Sequence, residues 1–147
     1  MYKKLIKSAA VYSQVGLESG VLSANPHQLI SILMEGALSS IAAARAEMIG
    51  GEIQAKSASI AKAMNIISGG LKGALDLRRG GEIAIHLHSL YSYMTGRLFL
   101  ANLKNQPDML DEVATLLGQI HDGWSRIGPT KVGSSLPQDK NPISIAA

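Results

Sequence analysis

The sequence predicts an all-α protein, an antiparallel up-down four-helix bundle, and three observations predict it. Apolar residues recur at three- and four-residue steps through four segments, and no segment alternates with the period of a half-buried strand. Prolines and paired glycines fall where those segments should begin and end. Apolar residues make up 46% of the 147 positions but aromatics only 4%. Ala, Ile, Leu and Met must therefore form the core, a mixture that suits helices better than sheets.

Asn25-Pro26 reads as an N-cap followed by the first helical position. The first segment, 26–49, carries Leu29, Leu33, Ala37, Ile41, Ala44 and Met48 on one stripe. Ile30, Met34, Leu38 and the run Ile41–Ala44 widen that stripe beyond a narrow core seam. Gly50-Gly51 supplies a C-cap and turn. The second segment, 52–78, shows Ile60, Met64, Ile67, Leu71, Ala74 and Leu75, with Gly69, Gly70 and Gly73 inside the pattern. Those glycines disfavour a regular helix by roughly 0.5–1 kcal/mol each relative to alanine, which fits a kink or a closely approaching backbone and equally well tolerated drift.

Gly80-Gly81 opens the third segment, 82–105, with Ile83, Leu87, Leu90, Tyr91, Met94, Leu98 and Ala101. The fourth, 107–127, starts at Pro107 and carries Leu110, Val113, Leu117, Ile120, Trp124 and Ile127. Trp124 reads as core. Glu52–Lys56 and Asp122–Arg126 are spaced as exposed i,i+4 pairs. Asp108, Asp111 and Glu112 complement the macrodipole of the fourth helix. The length suits one domain, divided into an N-terminal cap segment 1–24, a bundle 25–128 and a flexible tail 129–147. Val11, Tyr12 and Val15 could line a short helix resting on the bundle. The tail, rich in proline and serine, reads as disordered.

The net charge of +3 resides in the ends, because residues 26–127 carry nine basic and nine acidic side chains. No basic face is available to displace counterions from phosphates, so nucleic acid is not an expected partner. Only 17% of residues are charged, so something else is expected to cover part of the surface. The chain has no cysteine, which removes disulfides, thiolate catalysis and Cys-ligated zinc. No uninterrupted apolar run exceeds four residues, so membrane insertion is not expected, and a cytoplasmic setting follows.

Catalytic, cofactor and metal sites are expected to be absent. His86 and His88 point about 200° apart on a helix and cannot chelate one ion together. No Glu-x-x-His occurs, and Glu82–His86 reads as a capping or surface pair. His27 reads as a surface residue of a first turn. Gly80-Gly81-Glu82 lacks the lysine and hydroxyl residue of a phosphate-cradling loop, and no nucleophile elbow is present. A histidine phosphotransfer module remains as the alternative, with His86 or His88 as acceptor, although Ser89, Leu90 and Tyr91 follow where a lysine would be expected.

Several stretches in order resemble one family. They are Asn25-Pro26-His27-Gln28-Leu29-Ile30 with Leu33-Met34-Glu35-Gly36-Ala37; Lys62-Ala63 with Ile66-Ile67 and Leu75-Asp76; Gly80-Gly81-Glu82-Ile83-Ala84 with Leu90-Tyr91-Ser92-Tyr93-Met94 and Arg97-Leu98; and Glu112-Val113, Leu116-Leu117 and Trp124. Over about residues 9–128 they resemble the flagellar secretion chaperones, the FliS family. Met34-Glu35 departs from the aromatic and aspartate often found there.

The resemblance implies an antiparallel helical bundle working in the cytosol; the bundle is expected to be monomeric or weakly dimeric, and no enzymatic activity is expected from its residues. It implies binding of the C-terminal segment of flagellin, prevention of premature polymerisation, and delivery to the type III export apparatus. Some members also contact a flagellar anti-sigma factor, and export-gate components are implied partners. It further implies a flagellin groove, for which Ile67, Leu71, Leu90, Tyr91 and Met94 are the candidates, with Tyr12 and Val15 from an N-terminal segment rearranged when cargo arrives. Taken one by one, spacing favours a core role for each of the five bundle positions, and the groove is expected to draw on some of them. Apolar grooves suit an amphipathic ligand, and flexible methionines adapt to irregular partners.

Overall fold

The computed structural model describes residues 25–134, the side chains of 128–134 excepted. Tyr12, Val15, the cap segment and the end of the tail lie outside the described residues. All regular structure among the described residues is helical: α1 (Pro26–Ile49), α2 (Ile53–Asn65) continuing into a π-helical stretch (Ile66–Lys72), α3 (Gly81–Lys104) and α4 (Pro107–Ser134).

Asn25 starts α1 as the sequence requires. Its side chain accepts from the Gln28 amide at 2.8 Å while Gln28 Oε1 accepts from the Asn25 amide at 3.0 Å, a reciprocal capping box ahead of Pro26. Cross-helix contacts fix the topology. Arg45 on α1 meets Asp111 on α4 at 2.6 Å, while His27 meets Trp124, so α1 and α4 run antiparallel. Glu47–Ser59 and Lys56–Asn102 show the same for α1 with α2 and α2 with α3. Each helix thus has two neighbours, and the core runs down the middle through Leu29, Leu33, Ile41, Ile60, Met94, Leu98, Leu110 and Leu117.

The second segment differs most from expectation. It is α-helical only to Asn65, then widens into a π turn in which the Gly73 amide donates to Ser68 O at 3.1 Å, and it ends at Lys72 rather than 78. Packing explains this. A methyl group on Gly70 would project to 3.0 Å from Leu33 Cδ1, so the missing side chain lets this stretch close on α1. The wider turn also keeps Ile66, Ile67, Gly70 and Leu71 buried together. At the start of α3, a Cβ on Gly80 would meet Ala84 Cβ at 2.5 Å, and Gly81 sits at φ +59, so the glycine pair is required by geometry.

Other expectations need correction. Helix α4 continues past 127 to Ser134, through the first part of the expected tail, because extending an existing helix is far easier than nucleating one. Lys56 is not an exposed partner of Glu52. It is 4% exposed, and its ammonium donates to Asn105 Oδ1 at 2.7 Å and Asn102 O at 3.2 Å. Asp111 and Glu112 do more than complement a helix dipole, since they pair with Arg45 and Arg97 on neighbouring helices. Asp122–Arg126 does form, at 2.8 Å. An 18-residue window of α1 reaches a mean hydropathy of 1.4, so the helix is long and apolar enough to cross a membrane by length and composition. Counting uninterrupted runs does not register this, because Ser31, Glu35 and Gly36 interrupt the runs while the window as a whole stays apolar. Its stripe is buried within the bundle.

Candidate functional site

An apolar cleft of about 130 Å³ opens at one end of the bundle, where α1, the π stretch with the turn after it, α3 and α4 contribute. Ile30 and Met34 come from the first turns of α1, Leu71 from the π stretch, and Ala74 and Leu75 from the turn that follows. Leu87 and Tyr91 come from α3, and Ile120 and Trp124 from α4. The π turn and the glycine-dependent start of α3 bring the middle group within reach of α4. The floor is rigid core, with Met34, Leu71 and Tyr91 each no more than 2% exposed, while Ile30, Leu75, Leu87, Ile120 and Trp124 are half-buried. Burial also pushes the Tyr91 phenol up to about 12.

Polar contacts frame one wall. Trp124 Nε1–H donates to His27 O at 3.0 Å, and His27 Nε2–H donates to Trp124 O at 3.0 Å, which fixes the hydrogen on that nitrogen. The two rings stack with centroids 4.7 Å apart and planes 11° from parallel. His27 is therefore half-buried against α4 and not the free surface residue expected; Trp124 is a wall, not core. One turn further in, His121 Nε2 lies 3.2 Å from both Ser31 Oγ and Glu35 Oε2.

The candidate groove residues divide. Leu71 and Tyr91 line the cleft. Ile67 and Met94 are fully buried behind it in the core, and Leu90 is half-buried against the core without lining the opening. Sequence reading did not select Leu75, Leu87, Ile120 and Trp124 for the site, because each sits on the regular stripe of its helix. Ile30 and Met34 were detectable from the excess width of the α1 stripe.

Among the described residues no three His, Asp or Glu side chains are grouped to hold a metal ion. His86 is exposed and His88 half-buried. The cleft can bind apolar groups, and its described lining is aliphatic and aromatic, with Tyr91 and Trp124 bringing the polar atoms.

Comparison with known proteins points the same way. The family model described as flagellar protein FliS matches residues 8–131. The chain is 48% identical over 118 residues to the flagellar secretion chaperone FliS of Salmonella typhimurium, covering 80% of this chain and 87% of that one. It is 47% identical to FliSB of Pseudomonas aeruginosa, over 83% of this chain and 96% of that one. Against the Escherichia coli FliS, identity is 39% over 90% of this chain and 96% of the relative.

Proposed function

Because the chain belongs to the FliS family of flagellar secretion chaperones, we propose that its export cargo is flagellin and that it holds flagellin's C-terminal segment in the cytosol before export. Membership makes it a chaperone of flagellar secretion that binds an export substrate, and not an enzyme. The histidine phosphotransfer reading receives no support from that family.

The observation that carries the proposal is the cleft itself, lined throughout by apolar side chains and open to solvent at the bundle end. A segment that would otherwise coil with its own kind can place an apolar side chain there, in the helix-in-groove mode. A second feature suits a cargo that wraps around its chaperone. Of the nine large apolar side chains exposed among the described residues, five belong to α3: Ile83, Ile85, Tyr93, Phe99 and Leu103. Leu71, Leu90 and Tyr91 belong to the proposed contact surface, Ile67 and Met94 to its support. Tyr12 and Val15 join it on the family resemblance, as residues that pack on cargo after swinging aside. On that reading Tyr12→Ala weakens binding by about 1–3 kcal/mol.

Calorimetric titration of the full chain with the C-terminal ~40–60 residues of its cognate flagellin tests the proposal, that span being about the length needed to wrap a bundle at roughly 1.5 Å per helical residue. A one-to-one complex with a large negative heat capacity change is expected, because apolar area is buried as the ligand orders. No heat at micromolar concentrations would remove flagellin as the cargo.

A further inference from the structure

We propose that His27 is the positioning residue of the cleft, holding the Trp124 indole as a preformed wall and thereby setting the size of cargo side chain admitted. The proposal rests on the cleft being the cargo site. Trp124 is half-buried in the C-terminal half of α4, where an indole without a partner would sample several rotamers. It does not have that freedom, because its Nε1–H is committed to His27 O at 3.0 Å and its face to the His27 ring at 4.7 Å.

The reciprocal bond from His27 Nε2–H to Trp124 O closes the pair, so backbone and ring on both sides are constrained together. His27 is itself fixed, standing next to Pro26 in the first turn of a capped helix. The contact of His121 with Ser31 and Glu35 one turn away keeps α4 in register with α1. Among the described residues the indole nitrogen is bonded to His27.

Size follows from this placement. With Trp124 in the wall the cleft measures about 130 Å³. Apolar cavities of about 150 Å³ admit a benzene-sized group. The cleft is therefore of a size for one small apolar side chain, such as a branched aliphatic one. Preforming the wall also removes an ordering cost that binding would otherwise carry. His27 touches no ligand in this scheme; it acts through Trp124.

Trp124 is the single tryptophan of the chain, so its emission reads out the wall directly. Wild type, His27→Ala and His27→Phe are compared by calorimetry and fluorescence against a tryptophan-free C-terminal flagellin segment, with far-UV circular dichroism confirming the fold. Free His27→Ala should emit further to the red than wild type and bind cargo about tenfold more weakly. His27→Phe, which keeps the stack, should recover affinity to within about threefold. A merely structural histidine would change thermal stability but neither emission nor affinity at a temperature where the chain is folded.

Equal affinity in His27→Ala, or a phenylalanine variant no better than alanine, overturns the proposal. If the alanine variant does not fold, the phenylalanine variant and His27→Gln, which discards the stack, decide between them: comparable emission and affinity in the two would overturn it. If wild type binds no flagellin, the cargo reading fails separately, and an unchanged free emission spectrum in His27→Ala then overturns the positioning role itself.

Discussion

Leu33 Cδ1 lies 3.0 Å from the point where a methyl group on Gly70 would project, so the π stretch meets α1 with no room for a side chain. Both residues are buried. Alanine at 70 gains about 0.5–1 kcal/mol of backbone preference but overpacks a filled core at about 1–3 kcal/mol. Gly70→Ala should therefore lose about 1 kcal/mol in urea denaturation. Gly96, on the exposed side of α3 with nothing within 4 Å of a built Cβ, gives the opposite sign. Gly96→Ala should gain about 0.5–1 kcal/mol. Stabilisation by both substitutions would mean that the α1 contact is not tight.

Lys56 joins α2 to the far end of α3, its ammonium held by Asn102 O and by the side chain of Asn105, a residue at φ 53 that terminates the helix. A cation there also faces the negative end of the α3 dipole. Lys56→Met keeps most of the stem and removes both bonds, so the expected loss is about 1–3 kcal/mol. Hydrogen exchange should show faster opening at 102–106 in the variant. A methionine variant as stable as wild type would show that the buried ammonium contributes nothing net.

The bundle was legible in the sequence because each helix carries its own periodic stripe and its own punctuation. Asn25-Pro26, Gly50-Gly51 and Pro107 act locally, and local signals survive without knowledge of neighbours. The π stretch was not legible, since Gly69-Gly70-Leu71 widens the helix only because Leu33 stands opposite. For the same reason Lys56 looked like half of a surface pair until α3 was placed beside it. In the cleft, Leu71 and Tyr91 were found and Ile120 and Trp124 were not. Periodicity marks the inward face of a helix but does not say where along the bundle that face opens to solvent. The His27–Trp124 pair joins residues 97 apart in sequence, a contact only the fold creates.

Tyr93, Arg97 and Glu112 form an exposed link between α3 and α4. The Tyr93 hydroxyl donates to Glu112, whose other oxygen accepts from Arg97 Nε at 2.8 Å. The hydrogen bond from Tyr93, reinforced by Arg97, holds the Glu112 carboxyl below its usual range. A depressed carboxyl contributes stability that is present above its unfolded pKa, near 4.5, and is lost as pH falls through the folded value. Tyr93→Phe removes the leading cause. The stability gap between wild type and this variant should be full at pH 6 and shrink steadily below about pH 4.5. A gap independent of pH over that range would show that Tyr93 acts by packing alone.

Tyr91 makes the opposite case at alkaline pH. Its phenol is pushed up to about 12 by burial at the cleft floor, from 10 in the unfolded chain. The folded state thus favours the neutral phenol, and the stability this represents is complete below pH 10. It is lost as pH rises from 10 through 12, where the unfolded chain releases a proton that the folded chain still holds. Two pH units correspond to about 3 kcal/mol at most. Tyr91→Phe removes the titrating group while keeping the ring, so at pH 7 it should cost little, within about 1 kcal/mol. Its advantage over wild type should grow between pH 10 and 12, when both are unfolded by urea and compared at each pH. Lysines titrate in the same range in both proteins and cancel in the difference. Parallel pH profiles for the two would place Tyr91 in contact with water and so contradict a sealed cleft floor.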